Sequence, residues 1–128
     1  MIVTINNNRY IAKDMGNGIA IIKKTGEIYS IRIHSIIATK PHAKVSWYGV
    51  QVLASHLVAA AYLPESEHPD MELHHIDGNP ANNRPNNLVW LTKEQHQEAH
   101  RKMREWMREY LSNHIEVARG SYSKYNGR

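Results

Sequence analysis

Cysteine is absent from this 128-residue sequence, which excludes disulfide bonds and any zinc site built on thiolate ligands. No apolar run approaches the roughly 18 residues that a membrane-spanning helix needs, and the N-terminus lacks a signal-peptide pattern. We therefore expect a cytoplasmic protein that is not secreted and has no membrane partner. With 41% hydrophobic and 22% charged residues, the composition is typical of one compact globular domain.

Charge is distributed unevenly along the chain, although the formal total is only +4. Residues 1–50 hold seven Lys or Arg against two acids, residues 51–100 two against seven, and residues 101–128 seven against three. Two basic flanks around an acidic centre fit binding to a phosphate backbone. The alternative is ordinary solvated surface charge, which the charge pattern alone does not exclude.

The first 50 residues predict a small antiparallel sheet, since short alternating or apolar runs are separated by Asn, Gly and Pro turn signals. Its basic side chains then serve either as an addition to a nucleic-acid-binding face or as ordinary surface lysines and arginines. The expected strands cover residues 1–5, 9–13, 19–22, 27–33, 36–39 and 44–48.

A short helix is predicted from residue 51 to residue 63, because apolar residues recur at helical spacing and Pro64 then ends it. It contains His56, for which a packed or hydrogen-bonded structural role is favoured over a metal-ligand role.

Residues 73–100 hold four of the nine histidines. His74 and His75 are adjacent on a predicted strand (72–76), so their side chains point to opposite faces and can serve different purposes. His96 and His100 are four residues apart on a predicted helix, so they share one face. Histidines from the strand and the helix can therefore close on one metal ion.

Between these pairs the sequence is rich in turn formers and then continues as an apolar strand over residues 88–91. Asp77 is expected first in a tight turn, while Asn82 and Asn83 are expected to satisfy backbone groups of the loop. Thr92 followed by Gln95 is the capping-box pattern of a helix start.

The helix that starts there is predicted to run to about Val117, with Gly120 ending it. Met103 and Trp106 belong to an apolar stripe at helical spacing, and core packing is the default expectation for both. The distal half of the helix must pack on the N-terminal sheet, on a second subunit or on DNA, so a homodimer through this helix is one expected arrangement.

Three sequence elements in order resemble the HNH endonuclease family, the ββα-metal nucleases of phage and homing-endonuclease type. They are HHIDGN at residues 74–79, NNRP at 82–85 and NLVWLT at 87–92. The resemblance covers roughly residues 53–100 and implies a nuclease core with its upstream helix over 51–100. Together with the small sheet predicted over residues 1–50 and the basic helical extension and tail over 101–128, this gives an α+β fold.

The resemblance also implies roles for individual residues. His74 is expected to bind the metal and His75 to act as general base. His96 is expected as a further ligand, and His100 as a third ligand, a phosphate contact or a bystander. Asn87 completes the catalytic group by tying the loop that orients the base. The residues expected to bind nucleic acid are Arg84, Lys93, Arg101, Lys102, Arg104 and Arg108.

The resulting hypothesis is a metal-dependent endonuclease that nicks or cuts double-stranded DNA in a bacterial or phage-infected cell. One divalent ion is expected, Mg²⁺ or Mn²⁺ for activity, although imidazole ligands also favour bound Zn²⁺ or Ni²⁺. The alternatives are a non-catalytic DNA-binding module with a structural metal, and a nuclease that acts on RNA.

Overall fold

The computed structural model describes residues 1–114. The chain divides into two units, Met1–Leu91 and Thr92–Arg128. Within the described residues, the first unit holds the β-strands and a short helix, and the second holds one long helix. The predicted α+β class is therefore confirmed, with an antiparallel sheet and a strand–strand–helix order that ends in the long C-terminal helix.

The N-terminal sheet is an antiparallel meander in which each strand pairs with the next along the chain. Asn6 and Asn7 join the first two strands with φ of 51° and 66°, a left-handed conformation that asparagine tolerates better than most residues. The strands are β1 (Ile2–Ile5), β2 (Asn8–Gly16), β3 (Ile19–Ile22), β4 (Ile28–Ser30) and β5 (Ser35–Ile37).

All four residues of β3 are buried because both faces of the sheet are covered there. Ile19 and Ile21 point to the core that includes Leu57 of the following helix. Ala20 and Ile22 point to a second apolar cluster on the opposite face. The uninterrupted apolar sequence of β3 thus reflects a strand buried on two sides, since successive side chains alternate between the faces.

A separate hairpin follows, formed by β6 (Lys44–Trp47) and β7 (Val50–Leu53). Helix α1 runs over Ala54–Tyr62, so the predicted start of this helix at residue 51 was wrong. The reason is pairing, because residues 50–53 complete a ladder with β6. Likewise the predicted strand 27–33 is shortened to β4, since residues 31–34 form a turn.

The last hairpin consists of β8 (Glu72–His75) and β9 (Leu88–Leu91), joined by a long loop that includes a 3-10 turn at Pro85–Asn87. Its register places His74 opposite Val89 and His75 opposite Leu88. The strand predicted over residues 88–91 is confirmed.

Helix α2 begins at Lys93 and is described to His114. Its capping box is confirmed: the Gln95 backbone N–H donates to Thr92 Oγ1 at 3.1 Å, and the Thr92 N–H donates to Gln95 Oε1 at 2.9 Å. The predicted end of the helix near Val117 and Gly120 lies outside the described residues. Neither described helix is long and apolar enough to cross a bilayer.

The apolar stripe of α2 is not packed in a core. Met103 is 39% exposed and Trp106 is 56% exposed, so the expectation of core packing was wrong for both. Trp106 instead stacks on Tyr110 one turn later, with ring centroids 5.3 Å apart. Helical spacing predicted the stripe correctly, but it carries no information on what covers the stripe.

Replacing Ile21 by alanine should lower the free energy of unfolding by about 2–5 kcal/mol, because the change leaves a cavity in a close-packed core. Ile21 is 0% exposed, whereas Ile11 on the neighbouring strand is 64% exposed. Urea denaturation should therefore show less than about 0.5 kcal/mol of change for Ile11→Ala. Equal losses in the two variants would contradict this description of the core.

Candidate functional site

The β8–β9 hairpin gives its two adjacent histidines different surroundings. His74 is buried, with 9% of its surface exposed, and His75 is half-buried. Because neighbouring residues on a strand point to opposite faces, one imidazole faces the protein interior while the other remains accessible. The expected division of the pair into two environments is therefore present.

Asp77 organises the loop that follows β8. Its Oδ1 accepts hydrogen bonds from the Asn79 backbone N–H at 2.8 Å and from Asn87 Nδ2 at 2.9 Å. Its Oδ2 accepts from Asn82 Nδ2 at 2.8 Å. The bond to Asn79 is the tight turn expected from the sequence, and the other two link distant parts of the loop.

Asn87 is the second centre of this network and is 8% exposed. Besides Asp77, its Nδ2 donates to the Asn82 carbonyl at 2.9 Å, and its Oδ1 accepts from the Asp77 backbone N–H at 3.0 Å. The Ile76 N–H donates to the Asn87 carbonyl at 2.8 Å. Both amide hydrogens and the amide oxygen are thus engaged inside the loop, as a residue that ties the loop together requires.

The half-buried His75 is held from the same loop. Its Nε2 lies 2.7 Å from Asn83 Oδ1. Asn83 was expected to satisfy backbone groups, so this contact to a histidine side chain is a difference from the sequence-based prediction. A pairing between residues eight apart in an irregular loop leaves no periodic signal that could reveal it.

His56 packs near the hairpin, with its ring edge-on to Trp90 at a centroid distance of 5.8 Å. Partial removal from water lowers the pKa of His56, and the charge of His75 lowers it further. The packed role favoured for His56 agrees with this contact.

On α2, His96 and His100 face the same side one turn apart, with their Nε2 atoms 3.0 Å apart. Two nitrogens bound to one tetrahedral ion at about 2.0–2.1 Å lie roughly 3.3 Å from each other. The spacing of this pair therefore suits a shared cation.

The candidate metal ligands are divided between the two units: His74 lies on β8, and His96 and His100 lie on α2. All three offer imidazole nitrogen, which suits zinc, nickel and other transition metals, whereas Mg²⁺ prefers oxygen. The pair on α2 therefore offers donors that suit a divalent transition metal.

The cations expected to bind nucleic acid are not equivalent. Arg101 forms ion pairs with Glu98 and Glu105 on its own helix, so its guanidinium already has partners. Arg84 is exposed in the β8–β9 loop. Four further cations are exposed on α2: Lys93, Lys102, Arg104 and Arg108.

A groove of about 740 Å³ brings together three of the basic side chains of the N-terminal sheet. Arg9, Lys23 and Lys24 line it from the N-terminal sheet, and Pro85 and Asn86 line it from the β8–β9 loop. The sequence predicted these three side chains either as additions to a nucleic-acid-binding face or as ordinary surface residues, and it did not predict that they line one groove. Folding of the N-terminal region against the loop is what gathers these three side chains beside the candidate site.

Elements β8, β9 and α2 follow one another in the order of a ββα nuclease unit, with histidines on the first strand and on the helix. Residues 52–98 match the family model described as HNH endonuclease. The resemblance expected from the sequence is therefore confirmed over that segment.

One solved structure with a similar fold is "DNA binding and cleavage by the HNH homing endonuclease I-HmuI". The TM-score is 0.59 at 20% sequence identity, with 80% of this chain and 66% of that chain covered. This chain therefore spans just under two thirds of the length of the protein it matches, and at this identity the likeness concerns the fold. No curated protein matches the sequence.

The Asp77 network predicts a measurable titration. Hydrogen bonds from the Asn82 side chain, the Asn79 backbone and the Asn87 side chain lower the pKa of Asp77 from 3.8 to about 2. Because the pKa is lower in the folded chain, the stability that this carboxylate contributes is complete above about pH 4 and is lost as the pH falls towards 2. Carboxyl ¹³C NMR should give that low midpoint.

The Asn82→Ala variant is the control for this titration, since it removes the largest cause and should raise the Asp77 midpoint towards its ordinary value. A midpoint near 3.8 in the unmodified protein would contradict the network.

Proposed function

We propose that this protein is a metal-dependent DNA endonuclease that hydrolyses phosphodiester bonds in double-stranded DNA, by nicking one strand or cutting both. The observation that carries the proposal is the HNH endonuclease match over residues 52–98, which includes the hairpin with one buried and one accessible histidine. The similar fold of a homing endonuclease whose title describes DNA binding and cleavage supports DNA as the substrate.

His75 is the general base of the proposed reaction. Its side chain is only half-buried and so remains partly accessible to solvent, and a neutral imidazole accepts a proton readily near pH 7. One O–H bond of the water breaks as its proton passes to the imidazole, and the water oxygen bonds to phosphorus. The bond from phosphorus to the 3′ oxygen breaks, and that oxygen keeps the electron pair and takes a proton from solvent.

His74 and His96 are proposed as metal ligands, with His100 as the third. A divalent cation bound by them supplies positive charge to the phosphate and to the leaving oxygen. We propose that Mg²⁺ or Mn²⁺ supports cleavage, and that the imidazole donor set retains Zn²⁺ or Ni²⁺ when either is present.

Exposed cations around the hairpin are proposed to hold the DNA backbone. Arg84 projects from the same loop that carries the Asp77 network, and a guanidinium pairs well with phosphate oxygens. The basic groove lined by Arg9, Lys23 and Lys24 extends this surface along the N-terminal sheet. The exposed cations of α2 are proposed to contact the DNA backbone as well, whereas Arg101 must first exchange its two glutamates for phosphate. The expected homodimer through α2 stays a prediction.

His75→Ala should reduce nicking of supercoiled plasmid by at least about 100-fold, because general bases contribute roughly 10²–10⁴-fold. His68→Ala is the matched control, because His68 is an exposed histidine in the loop before β8. This variant should cleave the plasmid at the original rate. Supercoiled DNA, single-stranded DNA and RNA are compared in the same assay, with and without added metal.

Equal cleavage by His75→Ala and the unmodified protein would remove the role assigned to His75. DNA binding with no cleavage under any metal would favour the non-catalytic DNA-binding module instead. Preferential cleavage of RNA would reject DNA as the substrate.

Metal binding is tested separately by calorimetric titration with Ni²⁺ or Zn²⁺. One ion per chain is expected. Loss of a residue that only hydrogen-bonds to a metal ligand weakens metal affinity by roughly 10–100-fold, so loss of a ligand itself in His74→Ala or His96→Ala should weaken it by more than that. His68→Ala should bind as tightly as the unmodified protein. Unchanged affinity in His74→Ala would show that the buried histidine is not a ligand.

A further inference from the structure

The turn between β3 and β4 approaches the loop between β8 and β9 with almost no space between the two backbones. Gly26 lies in this turn with φ of +71°, and a Cβ at this position would lie 1.9 Å from the Asn83 carbonyl oxygen and 2.5 Å from its carbonyl carbon. Real Cβ atoms do not come this close to a backbone carbonyl, so only glycine fits. The N-terminal sheet therefore fixes the backbone position of Asn83.

The turn itself is held by backbone hydrogen bonds. The Gly26 N–H donates to the Ile22 carbonyl at 2.8 Å, and the Ile22 N–H donates to the Glu27 carbonyl at 3.0 Å. Ile22 and the neighbouring Ile28 are both buried in the sheet. The surface against which Asn83 rests is thus anchored in a close-packed core, which resists displacement.

The side chain of Asn83 in turn fixes His75. Its Oδ1 lies 2.7 Å from His75 Nε2, and an amide oxygen can only accept a hydrogen bond. Nε2 must therefore carry the proton in the neutral imidazole, and Nδ1 is left with the free electron pair.

We propose that Asn83 is a positioning residue that sets the tautomer and orientation of His75, and that Gly26 of the N-terminal sheet holds Asn83 in place. The catalytic consequence of this inference rests on the proposed function: if His75 is the general base, Nδ1 is the atom that receives the proton of the water. The β-rich N-terminal region is thereby part of the catalytic arrangement as well as a support for DNA.

The direct test is ¹⁵N NMR of the histidine rings in the metal-free protein, which does not depend on cleavage. We expect His75 as the Nε2–H tautomer, with an Nε2 proton that exchanges slowly with water. In Asn83→Ala that proton should exchange at the rate of a free imidazole, and in Asn83→Asp, which keeps an acceptor oxygen, slow exchange should return. An Nδ1–H tautomer, or slow exchange that survives in Asn83→Ala, overturns the proposal.

The contribution of the sheet is tested with a pair of glycine variants. Gly26 and Gly49 both have left-handed φ, +71° and +76°, but a Cβ at Gly49 meets nothing within 4 Å. Gly26→Ala and Gly49→Ala therefore carry similar backbone strain, and only the first displaces Asn83. We expect slow exchange of the His75 Nε2 proton to be lost in Gly26→Ala and kept in Gly49→Ala. The same result in both variants overturns the role of Gly26.

Cleavage measurements on the same variants separate this inference from the proposed function. Gly26→Ala and Asn83→Ala should each lower plasmid nicking by about 10- to 100-fold, as expected for a displaced catalytic group, while Gly49→Ala stays near the original rate. If Gly26→Ala does not fold, Asn83→Ala still decides the role of Asn83. Loss of slow exchange with unchanged nicking overturns the positioning role. If the unmodified protein shows the expected Nε2–H tautomer and slow exchange but does not nick DNA, the proposed function is rejected instead.

Discussion

The structure around the candidate site depends on one constraint: the long loop between β8 and β9 must satisfy its own polar groups without regular secondary structure. Asp77 and Asn87 meet this need, since each makes several hydrogen bonds across the loop. Backbone groups left unpaired at a half-buried position would cost free energy that few other contacts could offset. The loop is therefore held in one conformation by side-chain amides and a single carboxylate.

That conformation determines where the side chains of the proposed active site lie. The hairpin register buries His74 and leaves His75 accessible, and the loop places Asn83 against His75. The N-terminal sheet contributes from outside the hairpin, because Gly26 contacts the backbone of the same loop. The packing that buries β3 also supports the turn that carries Gly26.

The sequence predicted the parts of the fold that depend on local pattern. The strand over residues 88–91 and the Thr92–Gln95 capping box follow from apolar run length and from a three-residue spacing, and both were confirmed. The predicted start of α1 failed because residues 50–53 have apolar spacing that suits a helix, and only pairing with β6 makes them a strand. The predicted burial of Met103 and Trp106 was wrong, because helical spacing shows that an apolar stripe exists but does not show what packs against it.

The candidate site was predictable to the extent that it is a linear motif. The histidines and Asn87 stand at fixed places in a recognisable pattern, whereas the Asn83–His75 contact, the approach of Gly26 and the basic groove join residues that are far apart or irregularly spaced. The first of these leaves no periodic signal in the sequence, and the other two arise only when the sheet packs on the loop.

The most direct measurement is anomalous X-ray diffraction from crystals of the protein bound to DNA with Mn²⁺. The account predicts one Mn²⁺ peak within bonding distance of His74 and His96 nitrogens and adjacent to a backbone phosphate, with His75 outside the ligand set. A peak bound to His75, or histidines on β8 and α2 that share no ion, would contradict it.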